Sequence, residues 1–359
     1  MTHNTQWREQ LNSVLAAFNE WHASRNKGIA HSTRQARSQG LYRIFALLRQ
    51  LGYKPSPENL SERHVRALMA YWTAQPVPAD VAQDMPSILP RRGYPYSASY
   101  IQQQMSFLRT YASWIGKPGL VRSAGVYADD PQLVRRSYGA LVDKGWVSHG
   151  IDIDEVIDCV DVLDSHVGCQ LAMMVAFGLR RKEAVMFCPR AAEIPAHALP
   201  PQYERQGHYI SFLRIRRGTK GGRLRYAAVR TAAQRLALER ARRLARHEWG
   251  HIGHPGLSLK QSLDLFSNVV RSVGLTKNEL GVTPHGLRHQ FAGDLYFDIA
   301  RVQPPVRGGH CMADYAVMED AYRQVAEQLG HHRQQISNAY LGSPAGRRNR
   351  DVVLSGAAS

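Results

Sequence analysis

Four short stretches carry residue types whose chemistry goes beyond packing. "FGLRRKEAVMF" sets Arg180 at the end of an apolar run, with Glu183 one helical turn on, where a carboxylate can orient the guanidinium. "RGTKGGRLR" places Lys220 in a turn whose glycines let the backbone come close to a ligand. In "TPHGLRHQFAGDL", Thr283 and Pro284 can open a helix that carries His285 and Arg288 on one face, with His289 beside them. "LGHHRQQISNAYLG" holds His331, His332 and, nine positions after the first, Tyr340. Arginines can grip an anion through paired hydrogen bonds. Imidazole and ammonium groups move protons, and a phenol becomes a nucleophile once its proton, with a pKa near ~10, is removed. Singly, each residue has a plainer reading. Arg180 is a structural or phosphate-binding arginine, Lys220 a solvated turn lysine, His285 a helix-cap histidine and Tyr340 a core residue.

The elements that must position them read as mainly α with a small antiparallel β-sheet. Residues 5–24 set Trp7, Leu11, Val14, Leu15, Phe18 and Trp21 on one helical face. A second helix, 32–51, begins at a capping Ser32, turns Leu41, Ile44, Phe45 and Leu48 inward, and leaves Arg34, Arg37 and Arg43 elsewhere. A third follows Ser61. The Pro-rich 76–96 reads as a loop, and a fourth helix over 97–115 buries Ile101, Met105, Leu108 and Trp114. Residues 1–116 are therefore expected as a helical domain and 117–150 as a linker with a short helix near 131–143. Residues 151–359 are expected as a mixed second domain with a C-terminal tail. In that domain two helices are expected over 151–187. Strands at 209–216 and 223–229 form a hairpin with Ile210, Phe212 and Leu213 near the core. Helices are expected at 231–248, 259–273, 285–299 and 314–328.

Composition narrows the partners. The 359 residues hold 46 Lys+Arg against 29 Asp+Glu, a net charge of +17, and such a field attracts polyanions. Nucleic acid is the leading partner and an anionic membrane surface the second. The longest apolar run, 171–179, is far short of the ~20 residues that span a bilayer, and the N-terminus lacks the apolar core of a signal peptide. Cys159, Cys169, Cys188 and Cys311 form no CxxC pair and read as reduced, buried thiols. A cytoplasmic, nucleoid-associated protein is expected, with no membrane partner. "HEWGH" at 247–251 fits the HExxH zinc pattern, but Gly250 and the following "GHIGHPG" mark it as a helix end. Neither a P-loop nor a carboxylate metal cluster is present, so no cofactor and no metal are expected.

Taken in order, Arg180, Lys220, His285-x-x-Arg288, Leu329-Gly330-His331 and Tyr340 resemble the signature of the tyrosine site-specific recombinases, the family of phage and mobile-element integrases. The likeness extends over essentially the whole chain, and "PHGLRHQFA" and "LGH…Y" are its most specific pieces. It implies a helical core-binding domain followed by an α+β catalytic domain, acting on a double-stranded DNA recombination site as a prokaryotic enzyme. It also implies a homodimer on each site and a tetramer in the synaptic complex. By that resemblance Tyr340 attacks the scissile phosphate to form a covalent 3′-phosphotyrosine link, and Arg180 and Arg288 clamp the non-bridging oxygens. His285 handles protons near Tyr340, Lys220 is general acid for the departing 5′-oxygen, and His331 bonds a phosphoryl oxygen. Glu183 and His289 are supporting residues.

The chain also departs from that pattern. Forty-two residues separate Arg288 from His331, more than the family usually places there. The surplus falls in 299–320, which either touches DNA or a partner or is an inert loop. A second insertion is read at 191–208, and the usual exchange of a C-terminal helix between protomers is doubtful here. DNA contacts outside the site are expected from Arg34, Arg37, Arg43 and Arg109, with Gln102, Gln103 and Gln104 as base readers, and from Arg214, Arg216, Arg217, Arg223 and Arg225 around the Lys220 turn. Integration, excision or resolution of a mobile element is the expected task. The alternatives are a catalytically silent DNA-binding protein and a type IB topoisomerase or telomere resolvase.

Overall fold

Helices dominate both halves of the chain. The computed structural model describes residues 3–22, 25–75, 93–206, 208–309, 314–331 and 333–343. Packing divides the chain into two units, 1–137 and 138–359.

The first unit contains α1 (His3–Phe18), a two-stranded hairpin of β1 (Trp21–His22) and β2 (Arg25–Gly28), α2 (His31–Gln50), α3 (Glu62–Thr73) and α4 (Ala98–Trp114). Trp7, Leu11, Val14 and Leu15 recur at helical spacing and are buried. The helix expected through residue 24 stops six residues early. Asn19 donates to the Arg34 carbonyl at 3.0 Å, and the chain turns there into the hairpin. Phe18 and Trp21, expected inward, are consequently 43% and 55% exposed. Ser61 and His64 cap α3 reciprocally, with histidine in the place a glutamate commonly takes. Val121, Ala124, Ala128 and Val134, from the stretch read as linker, are buried in this unit's core. No α-helix forms over 131–143. A single 3-10 turn, Pro131–Val134, is capped by Asp130 instead. Most of the Pro-rich 76–96 lies outside the described residues.

The second unit holds α5 (Ile153–Leu163), α6 (Ser165–Phe177), α7 (Arg181–Val185), β3 (Glu193–Pro195), β4 (Ser211–Ile215), β5 (Arg225–Ala228), α8 (Ala232–Leu244), α9 (Leu259–Ser272), α10 (Gly286–Ala300), α11 (Tyr315–Gln328) and α12 (Asn338–Leu341). The expected two helices over 151–187 are thus three, because Asp164 caps α6 and Gly178 ends it. α6 buries Val167, Leu171, Met173, Met174 and Phe177, as befits a helix packed on several sides. Truncating one such side chain to Ala costs about 2–5 kcal/mol. The sheet is antiparallel in the order β3-β4-β5, with Leu213 opposite both Glu193 and Ala227. β3 lies inside 191–208, so that segment adds an edge strand. Ile210, expected near the core, precedes β4 and is 88% exposed. All four residues of β5 are buried.

α8 ends at Leu244, and "HEWGH" lies in a turn where the Gly250 N–H meets the His247 carbonyl. Its histidines therefore do not face one another across a helical turn. Among the described residues no three His, Cys, Asp or Glu side chains are grouped to hold a metal, and no helix is long and apolar enough to cross a membrane. Cys169 is buried, but Cys159 is exposed and Cys188 half-buried, against the expectation of buried thiols; all three are free. Cys311 lies outside the described residues.

Candidate active site

The site is organised around one buried carboxylate. Glu183, on α7, is fully buried, bonds two arginines and lies beside a third. Its Oε1 accepts from Arg180 at 2.5 Å, and its Oε2 accepts from Arg225 at 2.7 Å and from the Arg180 backbone N–H at 3.0 Å. Arg288 lies 3.8 Å from Oε2. Burial alone would raise this carboxyl. The charges of Arg225, Arg288 and Arg180, with the backbone N–H, outweigh it and hold the pKa at about 2.

Arg225 and Arg288 are buried where two helices end. The last carbonyls of α6 and α11 lack helical partners and form the negative ends of the helix dipoles. Arg225 donates to the carbonyls of Phe177, Gly178 and Gln328, and Arg288 to those of Gly178 and Leu329. Desolvation, the largest effect, lowers the Arg288 pKa to about 10. Gly330 ends α11 at φ +72°, with its own N–H bonded to Glu327 and that of His331 to Ala326, a helix stop that favours glycine. A Cβ at Gly330 would fall 2.8 Å from Cδ of Arg225.

Beside this frame stands Tyr340, on the four-residue helix α12 and only 8% exposed. Its hydroxyl accepts from Arg288 Nε at 3.2 Å and faces His331 Nε2 at 3.4 Å. Arg288 Nη2 is 3.5 Å from the same His331 nitrogen. Arginine can only donate, so His331 Nε2 serves as the acceptor and the ring proton sits on Nδ1. Burial first, then the charges of Arg288, Arg180 and Arg225, lowers the His331 pKa to about 3, which leaves it neutral near pH 7.

His285 is farther from Tyr340. Their ring centroids are 6.5 Å apart, and His289 packs closer, at 4.7 Å from Tyr340 and 5.4 Å from His285. α10 starts at Gly286 rather than at Pro284, because the Thr283 carbonyl is taken by the Trp146 indole and the Gly286 N–H. His285 keeps an open edge to solvent, yet the protein crowded around it and the charges of Arg288, Arg180 and Lys144 lower its pKa. His289 is buried, its Nδ1 has no hydrogen-bond partner among the described residues, and burial followed by its neighbour His285 lowers its pKa to about 3.

Arg180, Glu183, Arg288, His331 and Tyr340 are thus brought together, with His289 and His285 at one side. Lys220 is not joined to them. It is exposed at the tip between β4 and β5, and among the described residues no hydrogen bond or ion pair holds it. The base of that tip is nonetheless fixed, since a Cβ at Gly218 would fall 2.5 Å from the Lys182 carbonyl oxygen. His332 lies outside the described residues.

Two arginines expected to face DNA are turned inward. Arg225 is 1% exposed and committed to Glu183 and helix-end carbonyls. Arg37 is buried, bonds Asn19 and lies over the Trp114 ring. Gln104 is buried as well, and Gln102 bonds the Val134 carbonyl, so neither is free as a base reader. Arg43, Arg109, Arg214, Arg216, Arg217 and Arg223 are exposed, and Arg34 pairs with Glu20. The structural part of Arg225 is masked in the sequence by its basic run, "RLRY". Its one sequence signal is the position on a strand followed by "YAA", all of it buried.

Residues 148–294 match the family model described as Integrase. A crystal structure of a lambda integrase dimer bound to a COC′ core site matches 94% of this chain and 96% of its own at 15% identity, with a TM-score of 0.51. XerH site-specific recombinase on palindromic difH substrate matches 88% and 77% at 16% identity and a TM-score of 0.46. No curated protein matches in sequence. Residues 148–294 thus resemble the Integrase family, and the chain has the fold of the lambda integrase core-site structure.

Proposed function

We propose that the protein breaks and rejoins duplex DNA at a specific site through a covalent 3′-phosphotyrosine at Tyr340. The observation that carries this reading is the Tyr340 hydroxyl held between Arg288 Nε and His331 Nε2. Arg288 is buried and spends Nη1 and Nη2 on carbonyls, so its Nε, bonded to the Tyr340 hydroxyl, is the donor that meets a phosphate as the tyrosine moves to attack. Arg180, half-buried and steadied by Glu183, supplies a second cation. Two fixed guanidiniums supply electrostatic stabilisation where phosphoryl charge develops.

An incoming phosphate offsets the arginine charges that, after burial, depress the His331 pKa, and the phenol proton passes to this histidine, the nearest acceptor, as the phenolate oxygen attacks phosphorus. The P–O5′ bond breaks, and Lys220 on its exposed tip protonates the departing 5′-oxygen. Attack by the 5′-hydroxyl of another strand reverses these steps and releases Tyr340. His285 then serves the phosphoryl oxygen, so the two histidines exchange the roles expected from the motif order. The exposed arginines Arg43, Arg109, Arg214, Arg216, Arg217 and Arg223 contact the DNA backbone and give salt-dependent affinity. A dimer on each site, a tetramer in synapsis and service to a mobile element complete the proposal.

A suicide duplex cut from the DNA flanking the gene and nicked next to the crossover tests the reaction. A covalent adduct that forms with the wild type and is lost in Tyr340→Phe is expected. Binding without any adduct would leave a silent DNA-binding protein. Adduct formation in His331→Ala at the wild-type rate would return the proton to His285.

A further inference from the structure

The long stretch between Arg288 and His331 turns inward at Arg307, whose side chain is 16% exposed. Its Nε donates to Asp143 Oδ2 at 2.7 Å and its Nη1 to Asp294 Oδ1 at 2.9 Å. Asp143 also accepts from the Gly145 N–H, and Asp294 from Gln290, whose own oxygen accepts from the Val147 N–H. One guanidinium therefore joins the turn Pro305–Arg307, the segment 143–147 and α10, the helix that carries Arg288 and His289. Gly293 makes room for it, since a Cβ there would fall 2.6 Å from Arg307 Cζ.

The same turn backs the tyrosine. A Cβ at Gly342 would meet the Val306 nitrogen at 3.1 Å and the Ala140 carbonyl oxygen at 3.3 Å. The Ala140 N–H donates to the Asn338 carbonyl at 2.7 Å, and the Tyr322 hydroxyl to the Gly342 carbonyl at 2.7 Å. α12 is thus bracketed by residue 140 and by the loop that Arg307 holds. We infer that Arg307 is a positioning residue: it fixes where Tyr340 sits against Arg288 by tying the loop behind α12 to α10. The inference rests on the reading of Tyr340 as nucleophile.

Fluorine NMR of the full chain carrying 3-fluorotyrosine at 340, without DNA, reads this position directly. Arg307→Lys, able to reach only one carboxylate at a time, moves or broadens that resonance. Arg323→Lys, a control whose partners Asp320 and Glu327 lie on its own helix, leaves it in place. On the suicide duplex, Arg307→Lys slows adduct formation by about 10- to 100-fold with unchanged duplex affinity, the size expected for a displaced reacting group. A folded Arg307→Lys with the wild-type resonance and rate overturns the inference. If that variant does not fold, Asp143→Asn is read in the same way. Loss of fold in both makes Arg307 a stability element and also overturns it. A wild type that forms no adduct overturns the proposed reaction instead, and the fluorine comparison still decides whether Arg307 sets Tyr340.

Discussion

The guanidinium frame around Glu183 and the hairpin tip at Lys220 are built on opposite principles. In the first, a buried carboxylate and the ends of two helices hold Arg225 and Arg288 in one geometry. In the second, an exposed lysine stands beyond a fixed glycine with nothing among the described residues bonding it. Groups that only have to present charge gain from rigidity, because a fixed dipole or cation needs no reorganisation during reaction. A group that must deliver a proton to an oxygen arriving with substrate gains from reach. Stability and chemistry should therefore separate between the two regions.

The largest effect is expected from Glu183→Ala, which leaves two buried guanidiniums without their carboxylate. A loss of about 3–5 kcal/mol in urea denaturation is expected. A change under about 1 kcal/mol would mean that the helix-end carbonyls suffice. Arg225→Lys comes next, at about 2–3 kcal/mol, since an ammonium cannot reproduce the fork that joins Glu183 to two helix ends. Its exposed neighbour Arg223→Ala should stay within about 0.5 kcal/mol and lower the salt slope of DNA binding by about 1.

Acid should sharpen the contrast further. His289 is held near pKa 3 against an ordinary 6.5, so the fold binds fewer protons than the unfolded chain. Stability then falls as pH drops below about 6.5, by up to about 1.4 kcal/mol per unit, until about pH 3. Glu183, depressed to about 2 from 4.5, keeps its contribution above pH 4.5 and loses it only as pH falls toward 2. Urea denaturation of His289→Gln at pH 7 and pH 5 should show the flatter slope. An unchanged slope assigns it elsewhere. As small for the fold as Arg223→Ala is Lys220→Ala, within about 0.5 kcal/mol, while cleavage drops about 10²–10⁴-fold. A duplex whose departing atom is sulfur needs no acid and should restore the rate; if it does not, Lys220 acts otherwise.

The sequence made the helices legible where apolar spacing and a cap agreed, as at Ser61, though Ser32, expected as a cap, lies inside α2 behind an Ala30 N-cap; residue order made the integrase likeness legible. The sequence failed where a side chain answered to a distant partner. Phe18 and Trp21 continue the spacing of α1, but Asn19 reaches Arg34 and turns the chain. Arg225 looks like its basic neighbours until β5 is buried on both faces. His285 and His331 are equal in a motif, and only the fold sets His331 against the Tyr340 hydroxyl. Arg307 had no signal at all, because its partners Asp143 and Asp294 lie far apart in sequence.

The contact between Tyr340 and Arg288 bears on selectivity among anions. The phenol oxygen fills the edge of the guanidinium on which an anion would land, so the cation is not bare in the free protein. Inorganic phosphate, sulfate or a mononucleotide must displace the tyrosine with only its own charge to offset the lost contact. A duplex brings many phosphates, and their combined attraction to a chain of net charge +17 can open the latch. On the proposed reaction, the tyrosine acts as a stopper that a polymer lifts and a small ion does not.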